Sequence, residues 1–166
     1  EIDDGAVQLL AGHPPMEELR RIIMAMKIAH NLERVGDEAT TISRRCIELG
    51  REPQLKQTAD IPRIATLALD LLKEALDAFV HRAPDRARQL IPRDREVDRL
   101  NKQARAELAG YMAAHPEAVE RCLNLMVIFK SLERIADHAK NIAEEVVYVY
   151  EGRDIRIVQL GLEEDA

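Results

Sequence analysis

The chain has 166 residues, of which 33% are charged and 3% aromatic, and its formal charge is −6. That length suits one compact core or two small bundles, and the charge argues against a nucleic-acid binder driven by bulk electrostatics. So few rings exclude base-stacking platforms, and no run of about 18 apolar residues occurs to form a membrane-spanning helix.

The pattern along the chain is helical throughout. Val7, Leu9 and Leu10 suit the end of a helix that stops at Gly12-His13-Pro14-Pro15, because proline lacks the amide hydrogen a helix interior needs. From Glu17 to Glu48, apolar residues such as Leu19, Ile22, Met26, Leu32, Val35 and Ile42 recur at helical spacing. Gly50 is expected to supply a left-handed cap and Pro53 to end the element. Residues 51–60 read as a polar linker. Thr58 or Asp60 can cap a helix carrying Ile64, Leu67, Leu71 and Phe79, with Pro62 in its first turn. Pro84 opens a further helix to about Ala113, kinked at Pro92. His115-Pro116 begins the last long helix, to about Tyr150, followed by Gly152 and a loose acidic tail.

Two stretches repeat each other. Leu32-Glu33-Arg34-Val35-Gly36-Asp37-Glu38-Ala39 and Leu132-Glu133-Arg134-Ile135-Ala136-Asp137-His138-Ala139 lie 100 residues apart in constant register. Each follows a proline-marked break, and upstream of the breaks Glu1-Ile2-Asp3 echoes Glu96-Val97-Asp98. Copy two also has a preceding helix at about 60–82 that copy one lacks. With the opening Glu1-Ile2-Asp3-Asp4, this asymmetry leads us to expect an N-terminal truncation or a missing first segment.

The repeat carries acidic residues at i and i+4, which share a helix face and repel by a few tenths of a kcal/mol. A single such pair is usually a solvated face that pairs with neighbouring arginines and lysines; its recurrence gives a ligand role comparable weight. Glu133, Asp137 and Asn141 form a stripe of oxygens. If Asp94 and Asp98 face them from an antiparallel helix, up to four carboxylates converge, and these need a cation or raised pKa values. Oxygen-rich sites suit Mg²⁺, Ca²⁺, Mn²⁺ or iron, and zinc also takes carboxylates. His138 reads either as a ligand or as a surface histidine, since copy one has Glu38 there. Met24, Met26 and Met126 read as core. Cys46 and Cys122 have neither metal-ligand spacing nor a disulfide framework, which points to a reducing compartment, the cytoplasm. No phosphate loop or nucleophile motif is recognisable, so no catalytic residue is nominated.

These tandem motifs, with upstream Arg93-Asp94-Arg95-Glu96-Val97-Asp98, resemble the PhoU family over about residues 1–155. The resemblance implies an all-α fold of tandem antiparallel three-helix bundles, the first incomplete here: residues 1–54 as a partial first repeat, 55–155 as the second, and 156–166 as a flexible tail. It implies a cytoplasmic, non-enzymatic regulator of phosphate uptake. Such a protein restrains the phosphate-starvation response by linking the ATPase subunit of a phosphate ABC transporter to a sensor histidine kinase, and meets the membrane through these partners alone. It also implies iron or zinc bound by Asp94, Asp98, Glu133 and Asp137, with Asn141 weaker, and by Glu33, Asp37 and Asp3 in copy one. Alternatives are an accessory protein of another phosphate transporter and a carboxylate-ligated metalloenzyme. Long helices with unmatched apolar faces favour a homodimer.

Overall fold

The computed structural model describes residues 2–51, 55 and 60–152. Among them it contains six α-helices and no strand: α1 (Ile2–Ala11), α2 (Met16–Leu49), α3 (Ile61–Val80), α4 (Pro84–Leu90), α5 (Asp94–Ala114) and α6 (Val119–Glu151). The expectations placed on Pro53, Thr58 and the tail 156–166 lie outside the described residues.

The chain breaks where its sequence forces it to. His13 takes the left-handed conformation, with φ of 52°, ahead of Pro14-Pro15. Asp60 caps α3 by accepting a 3.1 Å hydrogen bond from the Arg63 amide, and Pro62 sits in the first turn. Two expectations are corrected. Gly50 is right-handed, at φ −67° and ψ −12°, and its amide donates to the Cys46 carbonyl. The helix tightens instead through a bond from the Arg51 amide to the Glu48 carbonyl, so no left-handed residue is needed. Among the described residues, the left-handed glycine is Gly152, beyond α6, with φ of 72°.

Residues 84–114 are not one kinked helix. The chain forms α4, a 3₁₀ turn at Ile91–Arg93, and then α5. Pro92 has no amide hydrogen to donate back, so the α ladder is interrupted there and restarts at Asp94. This places Asp94 in the first turn of α5, where the helix dipole favours a negative charge.

The long α6 is the spine, and α2, α3, α4 and α5 all pack along it. It is buried along most of its length: Cys122, Leu125, Phe129, Leu132, Ile135, Ile142 and Val146 belong to one core with Ile64, Leu71, Val97 and Leu108 of the neighbouring helices. Met24 is buried, while Met26 and Met126 are partly buried, in keeping with their reading as core residues.

The two repeated helices lie side by side and antiparallel. Polar pairs join Lys27 to Glu145, Asn31 to His138, Glu38 to Arg134 and Arg45 to Asn124. The residue numbers in each pair add to between 169 and 172. Because the copies differ by 100, Val35 and Ile135 fall opposite each other, and an approximate two-fold axis passes between the copies there. Glu38 and His138, equivalent in the repeat, therefore both serve the contact between the two motif helices.

Candidate carboxylate centre

Helices α5 and α6 pack together and bring the copy-two acidic residues to one place. Asp98, Glu133 and Asp137 line a cavity of about 330 Å³ together with Lys102 and Arg105. Asp94 lies one turn before Asp98 and is 4% exposed. Its charge raises the pKa values of both Asp98 and Asp137, so the four carboxylates form one electrostatic unit.

The acids are perturbed as crowded like charges should be. Asp137 is pushed up to about 6, first by burial and then by Asp94, Asp98 and Glu133. Asp98 is raised by the same causes, against the pull of Lys140 and Lys130. Lys130 Nζ donates to Glu133 Oε1 at 2.6 Å, and Lys140 Nζ donates to Asp94 Oδ2 at 3.4 Å. Asn101 donates from Nδ2 to Glu133 Oε2.

Asn101 escaped the sequence reading. It follows Asp94 and Asp98 at i+7 and i+3 on α5 and is buried, but that spacing alone does not separate it from a solvated asparagine. Among the described residues, two buried side-chain oxygens have no donor: Asp94 Oδ1 and Asn101 Oδ1. Unpaired buried acceptors are costly, so a cation reaching them would recover free energy. Among the described residues, no three His, Cys, Asp or Glu side chains close to ligating geometry, and lysines occupy two of the four carboxylates. The donor set is oxygen-rich and suits a divalent cation that displaces Lys130 or Lys140.

The other sequence-nominated residues lie elsewhere. Asn141 is exposed, one turn past Asp137, and is not part of the cavity wall. His138 Nδ1 contacts Asn31 Oδ1 at 2.9 Å, so it belongs to the α2–α6 contact; burial lowers its pKa. Glu33 and Asp37 stand on an open face of α2, paired with His30 at 3.9 Å and Arg34 at 3.8 Å.

Asp3 does not reach them. It lies eight residues before the end of α1, and Glu33 lies seventeen after the start of α2. At 1.5 Å per residue, that separates them by about 14 Å along the helix axes. Asp98 and Glu133 sit at nearly matching heights from their own turn, 16 residues before the end of α5 and 14 after the start of α6. The echo of Glu96-Val97-Asp98 in Glu1-Ile2-Asp3 is thus one of sequence and not of position.

The fold and this centre define a class: helical proteins with a duplicated motif helix, of which the second copy presents carboxylates toward a neighbouring helix. Residues 1–46 and 61–146 match the PhoU domain family, and the chain belongs to it. It is 40% identical over 161 residues to the phosphate-specific transport system accessory protein PhoU homolog of Pseudomonas aeruginosa, covering 96% of this chain and 66% of that protein. It is 39% identical over 157 residues to the homolog of Pseudomonas putida, covering 93% of this chain and 61% of that one. The chain thus spans less than two thirds of the length of these relatives.

Solved structures agree. The crystal structure of PhoU from Pseudomonas aeruginosa superposes with a TM-score of 0.88 at 40% identity, over 91% of this chain and 73% of that chain. The phosphate transport system regulatory protein PhoU from Streptococcus pneumoniae gives 0.80 at 27% identity, over 90% and 70%.

Proposed function

We propose that this protein is a phosphate-transport accessory protein that restrains the phosphate-starvation response. It acts by contact in the cytoplasm, between the ATPase subunit of a phosphate ABC transporter and a sensor histidine kinase, as a homodimer and without catalysing a reaction. The observation that carries the reading is the 40% identity over 161 residues to a phosphate-specific transport system accessory protein. The long α2, whose Ile23, Leu32 and Ile47 are exposed, supports work by protein contact. Among the described residues, no helix is long and apolar enough to cross a membrane. Deleting the gene is expected to leave phosphate-scavenging genes expressed in high phosphate. An unchanged response would overturn the regulator reading and favour an accessory role at another phosphate transporter.

The second part of the proposal is a metal site. Asp94, Asp98, Glu133 and Asp137 hold a cation, iron or zinc in first place, with Mg²⁺, Ca²⁺ or Mn²⁺ as further candidates. It would neutralise the crowded charge and rigidify the α5–α6 contact. The unpaired Asp94 Oδ1 and the raised pKa of Asp137 support it. Copy one offers Glu33 and Asp37 with no third ligand from Asp3, so copy two is the stronger site. Protein purified with metal present is expected to hold metal that the Glu133→Ala/Asp137→Ala variant loses. Elemental analysis showing nil, or equal amounts, in both proteins would refute the ligand assignment.

A further inference from the structure

The carboxylates of this cavity are spaced for a larger cation than a metal ion. Asp98, Glu133 and Asp137 share the cavity, and they lie close enough to raise one another's pKa values. Yet among the described residues no three acids close to ligating geometry. A metal ion needs its oxygens within about 5 Å of one another, since it sits only about 2.0–2.6 Å from each. A guanidinium reaches further, because donors on its opposite edges can serve oxygens about 8 Å apart.

The acceptors for such a group lack donors. Among the described residues, the Asp98 and Asp137 carboxylates have no ion-pair or hydrogen-bond partner. Lys130 and Lys140 pair with Glu133 and Asp94 instead. Asn101 is 1% exposed, turns its amide toward Glu133 in the cavity wall, and leaves its Oδ1 without a donor. Solvation accounts for an open carboxylate such as Asp98. It does not account for a fully buried asparagine oxygen.

The other end of the cavity indicates what carries the cation. Lys102 and Arg105 follow Asp98 at i+4 and i+7, about 6 and 10 Å further along α5. Among the described residues neither has an ion-pair or hydrogen-bond partner. Lys102 does not turn back to Asp98, although i, i+4 pairs of opposite charge attract. A free small cation is repelled by this end. A protein segment lying along α5 matches both ends if it carries an arginine and, one to two helical turns on, an acidic residue.

We propose that this cavity is a protein-docking site. An arginine of the partner enters between Asp98 and Asp137, and an acidic residue of the same segment meets Lys102 and Arg105. The inference rests on the reading that this protein works by contact, and it does not need the metal. A metal ion and the arginine draw on the same carboxylates, so each weakens binding of the other by the same factor.

The test titrates the full chain, in chelator, with the purified ATPase subunit of the transporter and with the cytoplasmic part of the sensor kinase. The Asp98→Asn/Asp137→Asn and Lys102→Ala/Arg105→Ala variants are each expected to bind the partner at least tenfold more weakly. Asp70→Asn/Asp77→Asn removes two exposed charges from α3 and is expected to bind as wild type does. Circular dichroism checks that each variant is folded. On the partner, an alanine scan of surface arginines is expected to find one whose loss is not additive with that of Asp98→Asn/Asp137→Asn. Equal binding by wild type and either cavity variant overturns the docking site and leaves the contact reading standing. Equal weakening by the α3 variant, or additivity at every partner arginine, does the same. Binding that appears only when Mn²⁺ replaces the chelator assigns the contact to the metal and overturns the arginine. No binding by wild type under either condition sinks the contact reading and the docking site together.

Discussion

Replacing Phe129 with alanine is expected to cost about 3–5 kcal/mol of folding stability, the range for deleting a buried aromatic side chain. Phe129 is fully buried on α6, the helix on which α2, α3, α4 and α5 all pack. The cavity left behind opens at the centre of the molecule, where four helices would have to shift to fill it. Domains of this kind have about 5–15 kcal/mol in all, so the loss takes a large share of the total. Urea unfolding should show a lower midpoint at unchanged slope. Leu123→Ala on the same helix is the control, since Leu123 is 51% exposed and should cost far less. A Phe129→Ala loss below about 1 kcal/mol would mean that the spine is not packed as described.

Much of this fold can be read from residue spacing. Helical periodicity places α2, α3 and α6 to within a few residues, and the prolines mark the breaks at 12–15 and 115–116. Pro92 was legible as a disturbance but not as a full restart. A missing amide hydrogen tells where the ladder fails, while the packing of α4 and α5 on α6 decides how far the chain turns. Gly50 misled because glycine permits the left-handed conformation without requiring it. The choice between a left-handed cap and a tightened last turn lies in the chain that follows.

The candidate site divides along the same line. The spacing of Asp94, Asp98, Glu133 and Asp137 foretold two helix faces, and their meeting required only that α5 and α6 be antiparallel neighbours. Asn101 could not be singled out, because its role depends on Glu133 of another helix. The partners of Glu38 and His138 were hidden for the same reason. Periodicity says which face of a helix is buried, never which helix covers it. Asp3 shows the opposite error, in which local similarity was taken for equivalence in space. The axial heights of α1 and α2 separate what the sequence aligned.

The charge of Asp137 should make the metal-free protein less stable as pH rises. Its pKa in the folded state is about 6, above its ordinary 3.8, chiefly through burial and then through Asp94, Asp98 and Glu133. Between these values the folded chain holds a proton that the unfolded chain has released. Stability therefore falls as pH rises from about 4 to about 6, and is flat above. Screening of a half-buried carboxylate reduces the effect to about 1–2 kcal/mol. Asp98, raised by the same neighbours, adds to it in the same direction. Asp137→Asn removes one of the repelling charges at similar volume. At pH 7.5 the metal-free variant should be more stable than wild type by about 1–2 kcal/mol, with the difference vanishing near pH 4. A cation reverses the trend for wild type, because it competes with the proton on Asp137, so metal affinity should climb as pH passes 6. Denaturant midpoints measured from pH 4 to 8, with chelator and with metal, test both arms. If Asp137→Asn is less stable than wild type in chelator at pH 7.5, the carboxylate is favourably held without metal, and the case for a cation at this centre loses its electrostatic basis.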